Sequence, residues 1–199
     1  MSSSAPTAPV SLLHPLDVFY REAGRELPWH EAVQPDAIPE PMRSLLAHNR
    51  DMTSTLEQHH GDGIHLRVLS LGHDAKTLRR EVVLCRDRDN VPVEFGATLA
   101  WLEAFEEPWR SQIMASRRPL GGILNASGKA YTSRPSAFLR VRPDEFLRVS
   151  LGFQGDPELY GRQNTLRTLE GNVIASILEI LPPTTTRDGT TKSVTTLGP

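Results

Sequence analysis

An α+β fold, with an antiparallel β-sheet of about six strands and helices packed on one side, is predicted by three features of the sequence. Six segments carry the apolar runs of strands, and the region ahead of them reads helical. Links as short as Glu170-Gly171-Asn172 leave no room for a parallel crossover, so neighbouring strands there pair antiparallel.

Residues 1–10 are Ser, Ala, Thr, Pro and Val with a single Met, a composition that cannot build a core. We expect a partly disordered leader over 1–34, one domain over 35–183 and a disordered tail over 184–199, where Pro182-Pro183 ends the last apolar run. Helices are predicted over Pro41–His48 and Asp51–Gln58, the second stopped by Gly61. Strands are predicted over Ile64–Leu71, Leu78–Arg86, Pro92–Trp101, Phe138–Ser150, Gly161–Leu169 and Val173–Leu181. Pro143-Asp144 makes the fourth of these two short strands or an interrupted edge strand. An inserted helix is expected within Leu102–Met114, its start limited by Pro108, and Pro119-Leu120-Gly121-Gly122 reads as a turn.

At 199 residues and a net charge of −2, the chain suits one domain with no general attraction to nucleic acid or to an anionic membrane. No apolar stretch approaches the ~20 residues of a bilayer span, and the start lacks the pattern of a signal peptide. The single cysteine, Cys85, lies in an apolar run and reads as a core residue of a cytoplasmic protein. The seven histidines show no metal-ligand spacing; His59-His60 reads as a solvated helix end. Phosphate loop, dinucleotide fingerprint and Gly-x-Ser-x-Gly elbow are absent from the sequence, so neither metal nor cofactor is expected.

Two charges stand out. Glu179 falls on the same strand face as Val173, Ala175, Ile177 and Leu181, and Arg80 on that of Leu78, Val82 and Leu84. Three explanations stand open: a buried Glu179–Arg80 ion pair, a strand end that reaches water, or a pocket for a small anion.

Five blocks in order, Asp51-Met52-Thr53, Leu78 to Cys85, Arg118-Pro119-Leu120-Gly121, Tyr160-Gly161-Arg162 and Leu178 to Pro182, resemble those of the chorismate pyruvate-lyase family. The resemblance covers roughly residues 42–183. It implies a chorismate lyase-like fold and a cofactor-free cleavage of chorismate to 4-hydroxybenzoate and pyruvate, a step of ubiquinone biosynthesis. Arg80 then corresponds to the arginine that holds the ring carboxylate, and Glu179 to the acid at the opposite end, with a raised pKa suited to proton transfer. Met52 and Leu120 correspond to residues that line and enclose the site. Gly121 would let backbone amides approach an anion, and Arg162 is either a second cation for the dianion or a solvent-facing strand arginine. The partners so implied are chorismate and the aromatic acid product, the protein acting as a monomer or a dimer.

Two rival readings remain. One is a lyase giving another hydroxybenzoate isomer; the other is a non-catalytic small-molecule or aromatic-acid binding protein of the same fold, like the effector-binding domains of certain bacterial regulators. In those regulators a helix-turn-helix domain precedes the binding domain, and residues 1–34 are too short and proline-rich to supply one.

Overall fold

Seven strands pair antiparallel in one sheet in the computed structural model, which describes residues 11–184. The chain runs α1 (Leu16–Glu22), β1 (His30–Val33), α2 (Met42–Leu46), α3 (Met52–His60), β2 (Ile64–His73), β3 (Thr77–Arg86) and β4 (Pro92–Trp101). It continues with α4 (Trp109–Ala115), α5 (Leu120–Ser127), β5 (Tyr131–Val141), α6 (Glu145–Leu151), β6 (Leu159–Thr168) and β7 (Val173–Leu181). Across the sheet the order is β1-β5-β6-β7-β4-β3-β2, so β7, last in the chain, sits at the centre beside β4.

The expected α+β architecture is present, with α2 to α5 gathered over one face. There α4 and α5 pack Ile113, Leu120, Ile123 and Leu124 on Leu78, Ala100, Leu166 and Ala175. Beside them α2 and α3 pack Leu45, Leu46, Met52 and Leu56 on Leu84 and Leu181. The alternate residues Val83, Ala97, Leu178 and Ile180 build a core on the other face with α1 and α6. Residues 11–34, expected to form a leader, supply Leu13, Leu16, Phe19 and Tyr20 to that core, and β1 pairs with β5.

Three elements differ from the sequence reading. Phe138–Ser150 is not a strand or a pair of strands: β5 begins at Tyr131, and after Val141 the chain turns into α6. Asp144 caps that helix by accepting from the Leu147 amide at 2.9 Å, and Gly152 closes it at φ 70°. Pro119–Gly122 is not a loop turn but the entry and first turn of α5. β1 was not anticipated at all, being four residues long and flanked by Pro28 and Pro35.

The face backed by α1 and α6 yields two expected results. Asp144 also accepts from the Tyr20 hydroxyl at 2.8 Å, tying α6 to α1. Asp144→Ala should therefore cost about 2 kcal/mol in urea denaturation, from a lost cap and a lost cross-helix bond. Glu81 is buried on this face with Oε1 unpaired, and burial raises its pKa from the ordinary 4.5 to about 7, opposed in part by the Arg25 charge. A raised folded-state pKa contributes stability below pH 4.5 that is lost as pH rises through about 7. Urea titrations at about pH 5 and about pH 8 should show wild type losing more stability with rising pH than Glu81→Gln.

Candidate functional site

Strand register places the polar residues of the helix-covered face in rows. Arg80 on β3 pairs with Thr98 on β4, Thr98 with Ile177 on β7, and Ile177 with Asn164 on β6. The adjacent row runs Val82, Gly96, Glu179, Arg162, and beyond it Leu84 pairs with Glu94. All of these side chains share one face by the two-residue period.

Glu179 does not pair with Arg80. Its Oε2 accepts from Nε of Arg162, the directly opposed residue on β6. Arg162 is 0% exposed, which excludes a solvent-facing role. Its Nη1 donates to the carbonyls of Leu46 and His48, both at 3.0 Å, and its Nη2 to that of Arg50 at 3.4 Å. The guanidinium thus fastens the link between α2 and α3 to the sheet.

Arg80 is 3% exposed, and among the described residues no carboxylate lies within salt-bridge distance of it. Nη1 donates to the Arg118 carbonyl at 3.2 Å, while among the described residues Nε has no hydrogen-bond partner. Burial alone lowers its pKa to about 10, so the guanidinium remains charged at neutral pH. A buried, charged, incompletely bonded arginine is costly, and an anion is the partner that would relieve the cost.

Arg80 borders a cavity of about 60 Å³ whose floor is Gly96, Thr98 and Ile177. Glu179, Met52, Leu120 and Gly121 line the same space, so five of the six residues singled out from sequence converge; Arg162 lies outside the lining, behind Glu179. The cavity has room for roughly four water molecules. Met52 and Leu120 line it from the first turns of α3 and α5.

Gly121 has a structural reason of its own. A Cβ there would stand 3.0 Å from the Asp51 Cβ, so the glycine lets α5 close on the head of α3. Asp51 caps α3 by accepting from the Ser54 amide at 2.9 Å and also accepts from Asn125 Nδ2 at 3.2 Å. The two helix starts that enclose the cavity are thereby linked.

Glu94 and Asn164 are among the polar residues of the site missed in the sequence. Glu94 is buried with Oε2 unpaired, and burial, then the neighbouring Glu179, pushes its pKa well above the ordinary carboxylate range. Asn164 donates from Nδ2 to Ser133 Oγ at 2.9 Å while its Oδ1 is unpaired. Strand periodicity could have found Asn164, which follows Arg162 by two, whereas Glu94 alternates with Gly96 and Thr98.

No protein-family model matches the chain, and no curated protein matches it. Solved structures do. PhnF from Mycobacterium smegmatis aligns with a TM-score of 0.53 and 15% identity over 71% of this chain. The effector domain of PhnF, solved alone, aligns with a TM-score of 0.52 and 14% identity over 66% of this chain and 88% of that one. The fold is chorismate lyase-like. This chain covers 65% of the length of the PhnF chain. The ligand-binding domain of a putative GntR-family transcriptional regulator from Bordetella bronchiseptica aligns at 0.45, with 10% identity, over 61% of this chain and 83% of that one.

The likeness to PhnF corrects the functional expectation. Its effector domain, solved alone, shares this fold, and the expected lyase activity and place in ubiquinone biosynthesis do not stand. The proton chemistry expected of Glu179 and the substrate-holding role of Arg80 in that reaction fall with it. What the chain shares with the lyase family is the fold. Among the described residues, no helix is long and apolar enough to cross a membrane, and no group of three His, Cys, Asp or Glu is placed to hold a metal ion.

Proposed function

We propose that the chain is a non-catalytic small-molecule-binding domain whose cavity takes a small anion on Arg80. One observation carries the reading: a buried guanidinium, without an acidic partner and with its Nε unpaired among the described residues, borders a cavity. A planar guanidinium can hold a carboxylate or phosphate by two parallel hydrogen bonds. The surrounding wall, with Val82, Leu84, Leu120 and Ile177, is apolar and strengthens such a contact by excluding water. Met52 and Leu120 enclose the ligand. Glu179 lines the cavity and, with Arg162 behind it, forms a fixed pair that holds the 46–50 link in place.

Calorimetric titration of the full chain with acetate, benzoate and inorganic phosphate tests this reading. At least one of these should bind, with an affinity that falls on adding salt and drops about a hundredfold in Arg80→Met. Binding that persists unchanged in Arg80→Met, or no binding of any of the three, would overturn it.

A further inference from the structure

Arg80 Nε, Glu94 Oε2 and Asn164 Oδ1 are buried, lack hydrogen-bond partners among the described residues and belong to residues that line the same cavity. Buried polar groups are paired in the great majority of cases, so three orphans around one space mark where a ligand's own groups belong. They call for different partners. Arg80 needs an acceptor. Asn164 Oδ1 needs a donor, because its Nδ2 is taken by Ser133.

Glu94 adds a charge argument. It faces Glu179 from β7 and Arg162 from β6, with Arg80 from β3 and Asp51 at the head of α3 bordering the same cavity. Glu94 and Glu179 have one guanidinium between them, and Glu179 holds it. One acid is left without a cation. In the empty pocket a proton fills that place; burial and the Glu179 charge both favour the protonated form. Glu94 Oε1 leans over the sheet at Gly96, 3.3 Å from where a Cβ would stand, which brings the carboxyl into the cavity rather than away from it.

We infer, resting on the anion-site reading above, that the cavity is built for a small amino-bearing anion, an ω-amino carboxylate in the simplest case. Its anionic group is held by Arg80 and its ammonium group by Glu94, with Asn164 Oδ1 offering a further acceptor. An ammonium supplies three N–H donors and the cation that the second acid lacks. Such a zwitterion also balances Arg80 at one end and Glu94 at the other. The ammonium takes the place of the Glu94 proton, which is released to solvent.

Matched pairs test this: γ-aminobutyrate against butyrate, and δ-aminovalerate against valerate, titrated into the full chain in two buffers of different ionisation enthalpy at neutral pH. The amino acid of a pair should bind about tenfold or more tightly than its plain acid, with proton release seen only for the amino acid. Glu94→Gln should abolish both differences. Equal binding of amino and plain acids, still lost in Arg80→Met, would overturn the amine assignment and leave the anion site standing. Failure of all four to bind would overturn both. The wild-type comparison decides the matter even if Glu94→Gln does not fold.

Discussion

Arg162→Met is expected to lower the unfolding free energy by about 3–5 kcal/mol, because it strands a buried carboxylate. Glu179 is 5% exposed, and the Arg162 guanidinium is its only hydrogen-bonded partner among the described residues. The same substitution removes the donors that hold the Leu46, His48 and Arg50 carbonyls, so loss of stability should be joined by faster amide exchange over residues 46–51. Glu179→Met in the same background should recover part of the loss, since two apolar side chains replace an ion pair at smaller cost than one orphaned charge. Urea denaturation of the two single variants and the double variant measures this. Simple additivity of the two single losses would argue against a coupled pair.

The central strands were legible because their signals are local. Pro92–Trp101 and Val173–Leu181 are mostly apolar segments, and both strands have the predicted bounds. Tyr131–Ala137 was not legible: it is polar and contains Pro135, which the sheet accommodates at an irregularity of the β5–β6 pairing between Pro135 and Ala137. Helix α6 was hidden because Pro143-Asp144 looked like a break in a strand, whereas Asp144 is an N-cap. In α5, Gly121-Gly122 suggested a turn, since glycine is a poor helix former and its value there lies in the approach to Asp51.

The partner of Glu179 depended on strand order, which periodicity does not encode. Arg80 shares its face but lies two strands away, while Arg162 is its immediate cross-strand neighbour. Glu94 escaped notice because its alternating neighbours are Gly96 and Thr98, which do not make an acid look out of place. The five short blocks carried the fold and not the reaction. A buried arginine and a buried acid at fixed positions serve a binding pocket as readily as a catalytic one.

Arg80→Met has the second large effect, and its sign separates a binding residue from a structural one. An arginine kept for stability would destabilise the protein on removal. Here the guanidinium is buried with one backbone acceptor and Nε unpaired, so an apolar side chain of similar length should stabilise the empty protein by about 1–2 kcal/mol. The same change should weaken anion binding about a hundredfold, the loss of two charge-assisted hydrogen bonds. Stability and function are thus expected to move in opposite directions at this one position.

Denaturation midpoints of wild type and Arg80→Met, each with and without a saturating concentration of the best-binding anion, test this account most directly. We predict that the empty variant outlasts the empty wild type and that the anion stabilises wild type alone. An Arg80→Met protein that is less stable when empty, yet is stabilised by the anion as much as wild type, would contradict it.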